Sequence, residues 1–205
     1  MRRYHTIIRR SGVRPERALE VGGLMGEASL LRFPELAAAE RYCLNLHELS
    51  SEDGITAVKG NANDMRGLFR SNWFDLVLCC STLEHDKRFW RSVPEMRRVL
   101  RPGGLLIISV PGYVADPEHD KGRSTVTYRV HYAFDYYRFS EQAVRQIFFE
   151  GMQRVRVRPF MTPPRIFGHG YKPQQPSTPR RAFGTARRAA GRARRAVRRR
   201  RTRLG

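Results

Sequence analysis

Residues Phe74–Pro111 read FDLVLCCSTLEHDKRFWRSVPEMRRVLRPGGLLIISVP, and the pattern of this stretch sets the fold class. Phe74–Cys80 (FDLVLCC) is a continuous apolar run of strand length, the kind buried on both faces of a parallel sheet. Lys87–Leu100 comes next, with Phe89, Val93, Met96 and Leu100 on one helical face, and Pro94 interrupts the register of that helix. Arg101-Pro-Gly-Gly104 ends it, and Leu105–Val110 (LLIISV) is a second fully apolar strand. Strand, helix and strand in this order belong to a mostly parallel α/β sheet.

The same alternation continues on both sides. Arg17–Val21 (RALEV) is a short strand, followed by a glycine turn and a short helix near Glu27–Arg32 that Pro34 stops. Arg41–Leu46 is a second strand and Ile55–Lys59 a third. Only eight residues separate them, too few for a full crossover helix, so the helix after the second strand is reduced. Toward the C-terminus, Ser140 caps a helix running to about Gly151, with Val144, Ile147 and Phe148 turned inward. Gln153–Met161 alternates like a strand with one wet face, and Arg165–Lys172 closes the sheet. The expected fold is α/β, a doubly wound, mostly parallel sheet in a domain spanning 1–173.

Charge separates this domain from the C-terminal segment. The chain carries a formal net charge of +20, and twelve arginines with no acid fall between Pro176 and Gly205. No apolar stripe runs through that stretch, so it cannot offset the entropy of folding by burial, and 174–205 is expected to be a disordered arginine-rich tail. Such a tail suits a nonspecific anionic partner, either nucleic acid or lipid headgroups. It equally suits a solvated tail of compositional origin. Cys43, Cys79 and Cys80 lie within apolar runs and show no metal-ligand spacing, so no metal site is expected. Buried, reduced thiols favour a reducing cytoplasm. The segment MRRYHTIIRRSG has no signal-peptide core, and no stretch approaches a membrane span.

Ligands of open parallel sheets bind beyond the carboxyl ends of the central strands, so the loops there carry the functional questions. Glu20-Val-Gly-Gly-Leu-Met-Gly26 directly follows the first strand, and its glycines allow a ligand to approach the backbone closely. Taken with the ordered sequence Phe74-Asp75, Leu83-Glu84-His85, Arg98-Val99-Leu100, Pro102-Gly103-Gly104 and Pro111, the chain resembles the class I S-adenosylmethionine-dependent methyltransferases. The likeness is to their small-molecule type 11 branch, and it covers about Arg17 to Lys172.

The resemblance implies a Rossmann-like methyltransferase fold and S-adenosylmethionine as cofactor. It implies that Glu20 acts indirectly, through the methionine moiety or a water, and that Gly22, Gly23 and Gly26 let the loop lie against the cofactor. Asn45 would meet the ribose, Asn61, Ala62 and Asn63 would border the adenine, and Ser81 and Leu83 would flank adenine and sulfur. Three positions depart from the family pattern. Leu24 replaces the middle glycine of the first motif, and Asn45 and Asn61 stand where acids are usual. An amide still accepts through its oxygen, but without charge assistance.

The insertion between Gly112 and Phe139 contains His131-Tyr-Ala-Phe-Asp-Tyr-Tyr-Arg-Phe139. In related enzymes a similar stretch forms a lid over the acceptor, which implies substrate contacts at His131, Asp135, Tyr136, Tyr137 and Arg138. The bland reading is a loop folded on its own aromatics, with Arg138 paired to Asp135. His85 follows the fourth strand and should face the cleft, where a histidine can act as general base. His131 is the alternative base, and loop bracing is the structural alternative for His85. Asp86 is the better cap for the next helix.

The expected function is therefore methyl transfer to a small hydroxylated molecule, a sugar or secondary metabolite, with oxygen favoured over nitrogen as acceptor atom. Two other classes are kept open. One is a non-catalytic binding protein of methyltransferase type with a decayed cofactor site. The other is a nucleic-acid methyltransferase that docks through the basic tail.

Overall fold

The computed structural model describes residues 2–115, 124–126, 134–161 and 164–174. The chain divides into two units, Met1–Gln174 and Gln175–Gly205, and the arginine-rich tail and His131 lie outside the described residues.

The chain opens with helix α1 (Arg2–Ser11) and strand β1 (Arg17–Val21). Strands β2 (Glu40–Asn45), β3 (Ile55–Lys59) and β4 (Phe74–Cys80) come next. Helix α2 (Phe89–Val99) then leads directly into β5 (Leu100–Pro111). A small antiparallel pair, β6 (Tyr113–Ala115) and β7 (Ser124–Val126), stands apart from the main sheet. A short helix α3 (Glu141–Ala143) continues as a π-turn over Val144–Phe148, and β8 (Gln153–Met161) and β9 (Pro164–Tyr171) complete the order of elements. The seven-stranded sheet has the order β3-β2-β1-β4-β5-β9-β8. Its first five strands are parallel, and β9 and β8 close it as an antiparallel pair. This is the α/β architecture expected from the sequence, with a Rossmann-like sheet.

Both faces of the sheet are apolar, as a parallel sheet requires. On one face Leu19, Val21, Val77, Leu106 and Ile108 pack beneath Val93, Met96, Val144 and Phe148. On the other, Ala18, Cys43, Leu76, Leu78 and Ile107 pack with Tyr4, Ile8, Leu30, Leu31 and Leu36. Helix α1 is thus a covering layer, not anticipated from MRRYHTIIRRSG. Only Tyr4 and Ile8, one turn apart, are buried in it, and Tyr4 anchors it by donating its hydroxyl to the Cys79 carbonyl at 2.8 Å.

Other departures have local causes. The helix expected near Glu27–Arg32 is three separate 3₁₀ turns at Gly26–Ala28, Leu30–Arg32 and Pro34–Leu36. Ser29 breaks the run by turning its side chain to the Leu31 amide. No helix joins β2 to β3 either; that link is a tight turn bridged at Glu52 and Ile55. Helix α2 runs through Pro94, the sixth of its eleven residues, without restarting, at the cost of one internal bond. Ser140 does cap α3, accepting from the Ala143 amide at 3.0 Å, but the widened π-turn rotates Ile147 outward and leaves it exposed.

The Asp of the FDLV run serves the frame. Buried Asp75 accepts the Glu16 and Arg17 amides at 2.8 and 2.7 Å and pairs with Arg101 at 2.5 Å. It thereby joins the starts of β1, β4 and β5.

Candidate functional site

Strand order reverses between β1 and β4, so the crevice above their carboxyl ends is the topological switch point at which ligands of such sheets bind. Thr82, just past β4, bridges the two ends by donating its hydroxyl to the Val21 carbonyl at 3.2 Å. The sequence-predicted residues other than His131 fall into four groups at this end of the sheet.

The turn after β1 is one interlocked unit. Gly22 has φ +72°, its amide donates to the Leu44 carbonyl at 2.7 Å, and a Cβ there would lie 2.1 Å from the Thr82 methyl. A Cβ on Gly23 would lie 2.6 Å from the Glu20 carboxyl carbon. Glu20 is buried and turns beneath its own loop, accepting from the Ser29 hydroxyl at 2.8 Å and the Leu30 amide at 3.0 Å. Burial raises its pKa to about 7 against the pull of those hydrogen bonds. Asn45 donates its amide to the Gly23 carbonyl at 2.8 Å and accepts the His47 amide at 2.9 Å. Gly26 differs from the other two glycines. Its φ is +78°, and a Cβ there would meet nothing within 4 Å. Its amide donates to Glu52, an acid absent from the sequence-based expectation. Leu24 sits at the tip of the turn, 55% exposed.

The loop after β3 is braced from the opposite side. Asn61 accepts the Asn63 amide at 2.9 Å in a local turn. Asn63 donates at 2.7 Å both to Asp86 and to Ser92, while Ala62 packs against the core. Asp86 is not the cap expected for α2, whose N-cap position is Arg88 without a side-chain bond; it ties the approach to the helix to this loop. One oxygen accepts the Arg88 amide at 2.8 Å and the other accepts Ser92 and Asn63.

The third group is the turn after β4. Ser81 has φ +51° and donates its amide to the Ser109 carbonyl at 3.0 Å. Leu83 is fully buried, so its side chain belongs to the core and only its backbone borders the crevice. Glu84 is also buried, and its Oε2 has no hydrogen-bond partner. Burial raises its pKa, opposed by its own backbone amide and by the nearby Arg165 guanidinium. His85 lies at the surface of the same turn with its Nδ1 2.7 Å from the Phe134 carbonyl and its Nε2 3.9 Å from Glu84 Oε1. A carbonyl only accepts, so Nδ1 carries the hydrogen, and in the neutral form of the ring the lone pair lies on Nε2.

The fourth group is the described end of the insertion, residues 134–139. It docks on the third: the Tyr136 and Tyr137 amides donate to the Glu84 carbonyl at 2.8 and 3.3 Å. Tyr137 donates its hydroxyl to the Lys87 carbonyl at 3.0 Å and packs on Phe89, while Phe134 and Tyr136 face solvent. Asp135 and Arg138 are paired, with Nη2 2.7 Å from Oδ2 and side chains 2% and 13% exposed. The bland alternative thus accounts for this pair, and among the described residues Tyr136 is the most exposed of the expected substrate contacts. Thr82, Glu84, Ser109 and Arg165 also belong to the site and were missed. Arg165 could have been found from PRIFGHGY, where alternation puts it on one face with Phe167 and His169.

Among the described residues no three His, Cys, Asp or Glu side chains gather as a metal site, and no helix is long and apolar enough to cross a membrane.

A protein-family match to part of the chain and a set of solved structures of similar fold place it among known proteins. Residues 33–108 match the protein family described as Methyltransferase domain. No curated protein matches the chain. Among solved structures, the phosphoethanolamine N-methyltransferase 2 of Haemonchus contortus in complex with S-adenosyl-L-methionine superposes with a TM-score of 0.60 at 16% identity. That match covers 84% of this chain but 53% of the Haemonchus protein, so the chain spans about half its length. The Burkholderia thailandensis 1,6-didemethyltoxoflavin-N1-methyltransferase, with S-adenosylhomocysteine bound, gives 0.60 at 18% identity over 84% and 78% of the two chains. The cyclase SpnF also gives 0.60, at 15% identity over 85% and 82%. At these identities the likeness is one of fold. Fold and matched segment together agree with the resemblance to class I S-adenosylmethionine-dependent methyltransferases.

Proposed function

We propose that this chain, which carries methyltransferase-domain sequence over 33–108 on a Rossmann-like sheet, transfers a methyl group from S-adenosylmethionine to a small hydroxylated molecule, at oxygen in preference to nitrogen. The observation that carries the reading is the convergence at the β1/β4 switch point of the Gly22–Gly26 turn, the Asn61–Asn63 loop and the Ser81–His85 turn.

The residues present fit the cofactor. Gly26 opens onto space that its missing Cβ leaves clear, and the 134–139 segment docks on the turn carrying buried Glu84. Gly22, Gly23 and Gly26 would shape the methionine side, Asn45 the ribose, Asn61–Asn63 the adenine edge, and Ser81 with the Leu83 backbone the centre. When bound, S-adenosylmethionine supplies an electrophilic methyl group on a sulfonium. The chain's own contribution is alignment, exclusion of water and removal of a proton.

For the last of these His85 is suited by tautomer: with Nδ1–H held by the Phe134 carbonyl, Nε2 is the atom that would take the acceptor's proton. Tyr136 would contact the acceptor, and Asp135 with Arg138 would hold that segment's shape. His131 stays the alternative base. The test is His85→Ala, assayed by release of S-adenosylhomocysteine against a panel of hydroxylated acceptors. Turnover is expected to fall by roughly a hundredfold with cofactor affinity unchanged. Unchanged turnover removes His85 from the chemistry.

A second reading has a specific observation behind it. Asn45 already spends its amide on Gly23, Leu24 is exposed in the first motif, and a cyclase shares the fold. A methyltransferase-like protein that binds without transferring a methyl group would bind the cofactor weakly or not at all and release no product with any acceptor.

A further inference from the structure

Arg165 opens β9 opposite Pro111, at the carboxyl edge of the sheet, and reaches over the ends of β4 and β5. Its Nε donates to the Ser109 hydroxyl at 3.1 Å, and its Nη2 donates to the Ser81 hydroxyl and lies 3.9 Å from Cys80 Sγ. The side chain is half-buried. Arg98, Arg101 and Arg138 all pair with a carboxylate, whereas among the described residues none pairs with Arg165. Glu84 feels its charge across the turn, but no ion pair joins the two.

A half-buried guanidinium held by two neutral hydroxyls has lost hydration without gaining a counter-charge. The residue it holds is Ser81, whose φ of +51° is an uncommon conformation for a residue with a side chain. Strained residues of this kind persist where their surroundings fix them, and they cluster at ligand sites. Here the surroundings are the Ser109 carbonyl and Arg165 itself. Cation and strained turn therefore meet at the switch point, where a ligand enters.

Building on the function proposed above, we infer that Arg165 anchors an oxyanion of the molecule bound at the switch point. Nε and Nη2 are held by Ser109, Ser81 and Cys80, while Nη1 makes no hydrogen bond among the described residues, which leaves its N–H donors for an oxygen of a carboxylate or phosphate. That oxyanion has two chemical sources: the carboxylate at the amino-acid end of the cofactor, or an acidic group on the acceptor.

Three probes separate them by calorimetry and thermal shift: S-adenosylhomocysteine, methylthioadenosine, which lacks the amino-acid end, and inorganic phosphate. Wild type, Arg165→Gln and Arg165→Lys are compared after their unliganded melting temperatures are measured. If the cofactor is the source, wild type binds S-adenosylhomocysteine at least tenfold tighter than methylthioadenosine, and Arg165→Gln erases that margin while keeping methylthioadenosine affinity. If the acceptor is the source, the margin survives in Arg165→Gln, but stabilisation by millimolar phosphate disappears. Arg165→Lys keeps the cation without the guanidinium and should lose only part of either effect; it carries the comparison if Arg165→Gln does not fold. Loss of the phosphate response in a protein that binds neither nucleoside supports the oxyanion anchor and refutes the cofactor reading. Variants that fold and match wild type with all three probes overturn the inference.

Discussion

Glu20 and Asn45 show how far a motif residue can serve the loop that displays it. Each is where a cofactor contact is expected from the sequence, yet each spends its polar atoms on the protein. Glu20 is an acid whose pKa is raised to about 7 in the fold from an ordinary 4.5, so the native state holds its proton more tightly than the unfolded chain. Its contribution to stability is whole below about pH 4.5 and is lost as pH rises toward 7 and above. The loss is on the order of 3 kcal/mol at most. Glu20→Gln can accept from Leu30 and donate to Ser29 without charge. Urea unfolding between pH 5 and 8 should therefore show wild type losing stability relative to Glu20→Gln. Parallel curves would mean that Glu20 ionises freely. Asn45→Asp has the opposite sense from what charge alone suggests. A carboxylate would face the Gly23 carbonyl that the amide now satisfies, so stability should fall by about 1–3 kcal/mol, and cofactor affinity with it. Tighter binding by Asn45→Asp would show that the side chain leaves Gly23 to meet the ribose.

Among the elements, those most legible in the sequence were the ones whose surroundings are uniform. β1 and β4 fall where expected, since strands buried on both faces announce themselves as apolar runs. The short connections were not legible. The three 3₁₀ turns arise because Glu20, distant in sequence, takes the Leu30 amide and the Ser29 hydroxyl, an interaction no local pattern reports. Helix α1 was hidden for a related reason: two buried residues among arginines do not make a visible stripe until the sheet that receives them is known. The glycines show a similar limit. Close approach to a ligand was expected for all three, but Gly22 is required by Thr82, Gly23 by Glu20, and only Gly26 faces open space. Asp75 ties three strand starts together, and its removal tests how those elements are joined. Asp75→Ala should cost about 2–4 kcal/mol in chemical denaturation, because two amides and a cation lose a buried partner. A cost under about 0.5 kcal/mol would show that these strand starts are held by packing alone.

Taken as a molecule, the described residues place every expected site position except His131 along one edge of the sheet. This comes from topology more than from any single motif: parallel strands deliver their carboxyl ends, and the loops after them, to the same side. The residues missed were those reaching in from elsewhere, such as Arg165 from the antiparallel β9 and Glu52 from the turn before β3. Everything proposed for the molecule depends on this edge binding S-adenosylmethionine, and the decisive measurement is titration calorimetry of the full chain with S-adenosylhomocysteine. A single-site isotherm in the micromolar range is predicted, together with a ligand-dependent rise in melting temperature, as binding to the native state requires. No heat and no thermal shift at millimolar ligand would contradict it.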